Sequence, residues 1–482
     1  MKRPFPLKLT SVLFLFLLVF GCGPKVFAFD GDWSVQATNS FEYYHLKENI
    51  AFRFLPQEAK EDSIRNRLIV DFLFGDFYAG VWYEIAPTGL FSTSSFKEET
   101  ELRQRYFGWH QNGLEIRAGH FNSTFDRGLV LNAFYDDFAN VYRNIDGINV
   151  RYTSEWLSGE MVGGRISDES SADSLSIRGG RASFNPFGLL SVGGAYLRLW
   201  ERSPLGEMKS TNVRQGNWGL SFGPVDLYGE YARQGGYYMS ALLPVEGDGT
   251  YLSGSLYGPF FGVTAEYKNY IHMQIQGVNA PPPVNHFQRS LNGGWNEIGW
   301  RLAATLTPYR DWSLEVDWAN SWTRGEGPIY DEQFVEVRGS YFQDNVLRAS
   351  YDRHKEQDHL EHWTDFTLYY YLTRKNTVSI SGLHKKYEGS YFPKDYHEKD
   401  LTLGFSHSNL LVINLTGGRN SQPGQFRELP EKTASVELTL KFRNNDLTIF
   451  HGDQRGGLVC SSGVCTFQPA FRGTRVSFLS RF

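Results

Sequence analysis

Apolar and polar residues alternate one by one in many short runs along this chain. The clearest run, residues 435–442, has Val436, Leu438, Leu440 and Phe442 on one face and Ser435, Glu437, Thr439 and Lys441 on the other. Residues 312–318 and 365–373 repeat the pattern. Because successive side chains of a β-strand point to opposite faces, each run predicts a strand with one apolar and one hydrated face.

Tight-turn sequences separate these runs, and longer polar segments alternate with the turns. Glycine, asparagine, aspartate and proline supply the backbone angles that tight turns need. The eleven predicted turns lie at Gly75-Asp76, Asn112-Gly113, Glu155-Trp156, Asn185 to Gly188, Gly223-Pro224, Gly258-Pro259, Pro308 to Arg310, Asp344-Asn345, Lys375-Asn376, His407 to Asn409 and Asn444-Asn445. Short turns at one end of the strands and long loops at the other are typical of membrane barrels.

The pattern predicts an all-β fold, a transmembrane antiparallel up-and-down β-barrel. Eleven turns join 22 strands, and a first strand near Trp33 with a terminal strand brings the number to about 24, within a range of 22 to 26. An even number keeps both chain ends on the periplasmic side. Because neither a linker nor a composition break divides the chain, we expect one barrel domain over residues 29–482.

The last strand carries its apolar face to the final residue. Val476, Phe478 and Phe482 lie on one face, and charged or polar residues alternate with them. This run resembles the closing strand of bacterial outer-membrane barrels, where the barrel-assembly machinery reads the terminal aromatic residue. The alternative is an edge strand of a soluble sheet, which would expose an aggregation-prone edge that barrel closure removes.

The first residues have the layout of a secretory signal peptide. Lys2, Arg3 and Lys8 precede a short apolar run, and the small residue Ala28 offers a cleavage site, so we predict a signal peptide over residues 1–28. Lipid attachment at Cys22 is the alternative. The apolar run is shorter than a membrane-spanning helix requires, and no later segment approaches that length.

Charge and composition narrow the partners. Removal of residues 1–28 leaves 44 basic and 53 acidic residues, a formal net charge of -9, which argues against a nucleic-acid partner. The aromatic content of 16% fits aromatic girdles at the two faces of a Gram-negative outer membrane. The expected partners are outer-membrane lipid, the barrel-assembly machinery, and periplasmic or surface proteins.

Two cysteines remain after signal-peptide removal. Cys460 and Cys465 lie close together with Gly463 between them, and in an exported chain this spacing predicts a small disulfide loop. A metal site is the alternative, although the sequence near the two cysteines does not complete a set of four ligands. We therefore predict neither a metal nor a cofactor.

Four connections are longer than the others: residues 47–63, 122–145, 272–296 and 452–470. The second is too apolar for a simple surface loop. It could fold inward and narrow the lumen, with Asp126, Arg127, Asp136 and Asp137 setting the electrostatic field there. The alternative is a loop that caps the rim of the barrel.

The remaining candidate chemistry is weak. His354, His359 and His362 could hold a transition metal, but a solvated loop is the preferred interpretation. The Gly-x-Ser-x-Gly match around Ser221 leads into a turn and another strand, not into a helix, so it does not predict a hydrolase. Inward-facing charges of both signs predict weak ion selectivity, or charges that pair across the interior.

Three short runs carry a family resemblance. Arg455-Gly-Gly-Leu-Val-Cys460 and its continuation to Cys465, with Arg127-Gly-Leu-Val-Leu131 and Asp146-Gly147, resemble a family of bacterial outer-membrane β-barrels known only as a domain of unknown function. We expect the resemblance to extend over nearly the whole mature chain, with the run from Arg455 to Cys460 as its most specific part. It implies a barrel in the outer membrane and no particular substrate.

These observations favour a non-enzymatic, porin-like channel or conduit for solutes. The main alternative is a barrel that acts as a sheath or scaffold for electron carriers or a secretion complex. An outer-membrane hydrolase is the third interpretation. With the first strand near Trp33, no plug domain is expected ahead of the barrel.

Overall fold

The structure is a computed structural model. It describes residues 33–46, 62–86, 99–136, 141–166, 175–202, 208–237, 244–273, 278–279, 281–288, 291, 294–309, 311–325, 327–341, 345–389, 395–421, 431–455, 457–461, 464–468 and 471–482. The predicted signal peptide lies outside the described residues. No helix in the described part of the chain is long and apolar enough to cross a membrane.

Thirty strands make up the described fold. In chain order they are β1 (Trp33–Leu46), β2 (Asp62–Phe74), β3 (Phe77–Ala86), β4 (Glu99–Gln111), β5 (Leu114–Phe121), β6 (Ser123–Thr124), β7 (Asn132–Ala133), β8 (Tyr135–Asp136), β9 (Val141–Tyr142), β10 (Ile145–Thr153), β11 (Leu157–Ile166), β12 (Leu175–Phe184), β13 (Leu190–Arg202), β14 (Met208–Phe222), β15 (Val225–Tyr237), β16 (Pro244–Tyr257), β17 (Phe261–Ile271), β18 (Glu297–Tyr309), β19 (Trp312–Thr323), β20 (Gly327–Tyr341), β21 (Asn345–Glu356), β22 (His359–Tyr371), β23 (Asn376–Gly389), β24 (Tyr396–His407), β25 (Leu411–Asn420), β26 (Lys432–Phe442), β27 (Asn445–Gln454), β28 (Gly457–Ser461), β29 (Val464–Gln468) and β30 (Phe471–Arg481).

Twenty-four of these strands form one closed antiparallel barrel, which confirms the predicted fold class and strand number. They are β1 to β5, β10 to β27 and β30, and each pairs with the next barrel strand in the chain. Strand β30 closes the barrel on β1, with Phe478 opposite Phe41 in the register. Beyond β30, Phe482 and Ala37 exchange backbone hydrogen bonds of 2.8 and 3.1 Å, so the pairing continues to the last residue.

The predicted tight turns lie between consecutive barrel strands at one end of the barrel. Gly75, Asn112 and Gly113 have φ angles of 54°, 49° and 81°, a backbone region that favours these residue types. The longer connections lie at the opposite end of the barrel, but some connections at that end are short. Only three residues separate β19 from β20, and two separate β21 from β22, which is as few as in the tight turns, so the predicted asymmetry is only partial.

Strand β15 illustrates how the two faces of the wall differ. Glu230 is 2% exposed, whereas its neighbour Tyr231 is 51% exposed. A soluble core would bury the aromatic residue and expose the carboxylate. The inverted pattern places polar side chains inside the barrel and apolar ones outside, where they suit lipid.

Exposed aromatic residues collect at the tight-turn end. They include Trp33, Phe74, Phe77, Phe184, Phe222, Tyr309 and Phe442. Aromatic side chains in this position suit the interface between hydrocarbon and headgroups at this end of the barrel; the composition predicted such residues at both interfaces.

The prediction that His354, His359 and His362 lie in a solvated loop is wrong. His354 belongs to β21, and the other two belong to β22, beyond the short connection at residues 357–358. The cause of the error is that this hairpin is polar on both faces, so its alternation is not visible in the sequence. His354 is fully buried and is held by Asp352 and Glu361.

Candidate functional site

The inner wall of the barrel carries an apolar patch, unlike the polar lining of a water-filled lumen. Buried residues of five neighbouring strands form it, and they are Val162, Ile166, Ile177, Leu197, Leu199, Val213 and Ala232. An apolar surface in a hydrated lumen would be unfavourable, because burying apolar area contributes about 25 cal/mol per Å². Another part of the chain therefore covers the patch.

The covering element is a hairpin in the connection between β5 and β10. We call residues 123–133 the first inward segment. Its strands β6 and β7 pair Ser123 with Ala133, and Phe125 N donates to Leu131 O at 2.9 Å. Leu129 and Val130, like Phe125 and Leu131, have no solvent exposure. The segment thus packs its apolar face on the wall, inside the barrel.

Polar contacts fix the tip of the first inward segment. The Asp126 carboxylate accepts hydrogen bonds from Gln215 at 2.7 Å and Asn217 at 2.8 Å, and it forms an ion pair with Arg181 at 3.4 Å. Gln215 and Asn217 belong to β14 and Arg181 to β12. The tip therefore reaches deep into the barrel, toward the end with tight turns.

Glu160, near the tight-turn end of β11, anchors the base of the same segment. It accepts hydrogen bonds from Ser123 Oγ and Asn149 Nδ2, both at 2.8 Å, and from Arg181 Nε at 3.2 Å. Arg181 thus contacts both Glu160 and Asp126. A buried carboxylate with this many partners holds the hairpin and the wall in one arrangement.

A second inward segment lies in the connection between β17 and β18. We give this name to residues 278–279 and 281–288. It contacts the first inward segment directly, because Asn132 N donates to Val278 O at 2.7 Å and Asn279 Nδ2 donates to Leu129 O at 2.9 Å. The two segments consequently form one unit inside the barrel.

Strand β17 supports the second inward segment through two buried side chains. The Lys268 ammonium donates to Pro283 O and pairs with Glu297, and Tyr270 donates to Pro282 O at 3.0 Å. Lys268 is completely inaccessible to solvent. Such a charge is tolerable only with these partners, since a buried unpaired ammonium is very costly.

The far end of the second inward segment contacts another part of the wall, three to five strands from β17. His286 N donates to Glu332 at 2.7 Å, and the His286 ring stacks on Phe334 with 3.7 Å between ring centroids. Phe287 packs against Trp363 with its ring centroid 5.3 Å away. These contacts lie on β20 and β22, so the segment extends across part of the lumen.

His286, Glu315 and Asp317 form the one group of three potential metal ligands found among the described residues. Arg301 already pairs with Asp317, its Nε lying 2.8 Å from Oδ2. His286 Nδ1 lies 3.3 Å from the same oxygen. Because Arg301 occupies this carboxylate, we interpret the group as an anchor for the second inward segment.

Charges elsewhere on the inner wall pair with their neighbours. The Glu84 carboxylate forms ion pairs with the guanidinium groups of Arg65 at 2.7 Å, Arg103 at 3.1 Å and Arg67 at 3.2 Å. Arg348 similarly reaches Glu336 at 2.7 Å. Of the two arrangements predicted for the mixed lumen charges, the described residues thus show pairing, between neighbours along the wall.

A cavity of about 400 Å³ lies at the tip of the first inward segment. Arg127 and residues of β13 to β16 line it, among them Asp226 and Tyr228. The Arg127 guanidinium lies over the Tyr228 ring, 5.3 Å from its centroid.

The predicted lumen residues divide into two groups. Asp126 and Arg127 lie inside the barrel, as described above. Asp136 belongs to β8, where it is opposite Val141, and its side chain is outside the described part. Asp137 lies outside the described residues. Whether Asp126 and Arg127 constrict a solute path stays a prediction.

The other predicted residues lie near the chain end. Cys460 and Cys465 are directly opposite in the register of β28 and β29, although their side chains are outside the described part, so the disulfide stays a prediction. Val476 and Phe478 share the outward face of β30, and Phe482 follows as the last residue. Their role in assembly likewise stays a prediction.

Sequence reasoning missed the residues that hold the inward segments. Glu160, Glu230 and Lys268 occupy inward positions of otherwise regular strands, so alternation alone could have placed them on the lumen face. Their partners in the inward segments are not visible in the sequence. Ser123 and Glu160, for example, are 37 residues apart.

Comparison with solved structures supports the barrel. The chain is similar to a chain of the E. coli P pilus tip assembly intermediate PapC-PapD-PapK-PapG, with 11% identity and a TM-score of 0.56, covering 92% of this chain and 60% of that one. It is also similar to the P pilus usher (PapC) translocation pore, with 10% identity and a TM-score of 0.51; the similarity covers 93% of this chain and 99% of that one. At such low identity these similarities show the fold alone. The fold is that of an outer-membrane β-barrel.

Residues 7–292 match the Family of unknown function (DUF6029), and the chain belongs to this family. The matched range includes the run from Arg127 to Leu131 and Asp146-Gly147. The match ends before Arg455. The resemblance was expected to extend over nearly the whole mature chain, so the match is shorter than predicted. The run from Arg455 to Cys460, predicted to be the most specific part, lies outside the match. A comparison with curated protein sequences finds no match.

Proposed function

We propose that this protein is a porin-like channel for small solutes in the bacterial outer membrane, without a catalytic role. The observation that carries the proposal is the pair of inward segments, tied to each other and to the inner wall. They lie in a barrel whose remaining inner wall is charged and polar. In this proposal the segments, with Asp126 and Arg127 at the tip, limit the size and charge of the solutes that pass.

The size of the barrel supports this role for the segments. A circular barrel of 24 strands, spaced about 4.8 Å apart and tilted by about 40°, has a backbone diameter of roughly 45–50 Å. Such a lumen, if empty, would admit small folded proteins. Segments that fill part of it make a filter for small molecules possible.

A shortened hairpin tests the proposal. Replacing residues 125–131 by Asn-Gly keeps Thr124 opposite Asn132 and closes the hairpin with a two-residue turn. We expect a larger single-channel conductance in planar bilayers and faster liposome swelling with large sugars than for the wild-type protein. The matched control replaces residues 50–56 of the β1–β2 connection by Asn-Gly and should change neither measurement.

Two results would contradict the proposal. A wild-type protein that is folded in bilayers but does not conduct would exclude a channel. Equal conductance and equal sugar size limits for the wild type and the shortened hairpin would show that the first inward segment does not restrict the path. Heat-modifiable migration on gels establishes that each variant contains a folded barrel.

A second candidate function is a conduit or scaffold for a partner polypeptide, such as a secreted subunit or an electron carrier. The similarity of fold to the P pilus usher translocation pore motivates it. A photo-crosslinker at the inward position Lys441, in living cells, should then give an adduct of defined mass that the outward position Leu440 does not give. Absence of such an adduct in cells that contain the folded barrel would count against this candidate.

We also propose that residues 1–28 are removed as a signal peptide. Amino-terminal sequencing of the protein from outer membranes should begin at Phe29. An amino terminus blocked by lipid at Cys22 would contradict this cleavage.

A further inference from the structure

The cavity at the tip of the first inward segment has the composition of a binding site for a small polar molecule. Its volume of about 400 Å³ lies in the range typical of ligand pockets. Hydroxyl groups dominate the inner wall around it, supplied by Ser191, Ser221, Ser253 and Ser255. Hydroxyls can both donate and accept hydrogen bonds, so they suit amide and carboxylate groups equally.

Arg127 presents a cation to this cavity. Its backbone N–H donates to Glu230 Oε2 at 3.3 Å, which fixes the residue at the wall. The nearby carboxylates are occupied: Glu230 also accepts from Tyr228 OH at 2.8 Å, and Asp126 accepts from the amides of β14. Within the described part of the chain, the Arg127 guanidinium makes no ion pair. The guanidinium carbon lies 5.3 Å from the Tyr228 ring centroid, a cation–π contact that occupies none of the guanidinium N–H groups and leaves them for a ligand.

Asp226 presents a charge of opposite sign to the same cavity. It lies in β15 two residues before Tyr228, on the same inward face, which separates the two backbone positions by about 7 Å along the strand. Its carboxylate forms neither a hydrogen bond nor an ion pair with other described side chains; the backbone of Asp226 pairs with β14 and β16 as part of the sheet. Arg127 and Asp226 therefore line one cavity without neutralising each other.

We propose that this cavity binds a small zwitterionic solute of the amino-acid or short-peptide class. The ligand carboxylate accepts hydrogen bonds from the Arg127 guanidinium, its ammonium group donates to Asp226, and the serine hydroxyls bind the amide groups between them. An anion without an ammonium group would be repelled by Asp226, and a cation without a carboxylate would be repelled by Arg127. This proposal rests on the proposed channel function, because the bound molecule would be a solute that the channel carries. Binding can nevertheless be measured without conduction.

Binding to the folded barrel in detergent micelles tests the proposal by saturation-transfer NMR. The probes are glycylglycine, its N-acetylated form, which is an anion, and glycylglycinamide, which is a cation. We expect glycylglycine to bind about tenfold more tightly than either analogue, the effect of roughly one charge-assisted contact. Equal binding of the three probes would overturn the proposal.

Charge-removing variants assign the two contacts. In Arg127→Gln, glycylglycine should bind about tenfold more weakly, and no better than glycylglycinamide. In Asp226→Asn, it should bind no better than the acetylated anion. Arg127→Lys retains the cation and should retain most of the binding. Tighter binding of the acetylated anion than of glycylglycine by wild-type protein would show a plain anion site and overturn the zwitterion assignment.

Matched controls remove the same charges from the outward face of the neighbouring wall. Arg233 and Asp248 lie opposite each other in the register of β15 and β16, and neither lines the cavity. Arg233→Gln and Asp248→Asn should leave glycylglycine binding unchanged, and a loss as large as that in Arg127→Gln would overturn the site. Bilayer conductance separates the two proposals. A barrel that conducts but does not bind glycylglycine refutes only the site, and one that binds but does not conduct refutes only the channel.

Discussion

Replacing Leu129 and Leu131 by alanine should release the first inward segment from the wall of the barrel. Both side chains are completely buried in the apolar cluster inside the lumen. Truncating a buried leucine to alanine typically costs about 2–5 kcal/mol, so the double variant loses on the order of 4–10 kcal/mol of docking free energy. Even 4 kcal/mol shifts the docking equilibrium by about a thousandfold. The barrel should stay folded, because its wall is held by strand pairing that neither residue makes.

The polar tip of the first inward segment contributes less to the docking free energy than the two leucines do. Asp126→Asn keeps the shape of the side chain and at least one acceptor oxygen for Gln215 and Asn217, and loses the charge that strengthens these hydrogen bonds. Hydrogen bonds to charged groups contribute about 1.5–3 kcal/mol, so weakening them should cost less than the two leucine truncations. We therefore expect the segment to stay docked in Asp126→Asn.

Two measurements read out docking in the folded barrel. Single-channel conductance should rise in the double alanine variant, and trypsin added to intact barrels should cut after Arg127, which is inside the lumen when the segment is docked. Leu252→Ala with Leu256→Ala makes the same chemical change on the exposed outer face and should alter neither. If the leucine variant behaved as the wild type while Asp126→Asn opened the lumen, the conclusion that apolar packing holds the segment would be refuted.

The remaining predictions concern location and the chain end. The mature protein should fractionate with outer membranes and show heat-modifiable migration on gels. Recovery from the soluble periplasm would contradict the conclusion that the protein is an outer-membrane barrel. Deleting Phe482 removes two backbone hydrogen bonds to Ala37 and the terminal aromatic ring, so the yield of folded barrel should fall; an unchanged yield would show that the last residue is dispensable for assembly. Changing Cys460 and Cys465 to serine should leave heat-modifiable migration intact, because closing so short a loop contributes only about 2 kcal/mol. Two reactive thiols per denatured, unreduced chain would exclude the disulfide.

The sequence by itself determined the wall of the barrel. The run from Ser435 to Phe442 forms part of β26 as its alternation predicts, and Asn112-Gly113 forms the predicted turn between β4 and β5. Both features are local: a period of two specifies a strand with two different faces, and positive φ angles favour glycine and asparagine. In an up-and-down barrel each strand pairs with the next, so local signals also specify most of the topology.

Only the tertiary structure decided what fills the barrel. The sequence left the first inward segment as either a rim cap or a lumen element, because its apolar run specifies burial but not the surface that buries it. That surface is assembled from five strands, and each of them supplies one or two apolar inward positions, such as Val213 on β14. The ion pair of Lys268 with Glu297 and the contacts of His286 with Asp317 and Phe334 likewise exist only when β17 to β20 stand side by side. Contacts between residues distant in sequence depend on closure of the wall, and no local pattern encodes them.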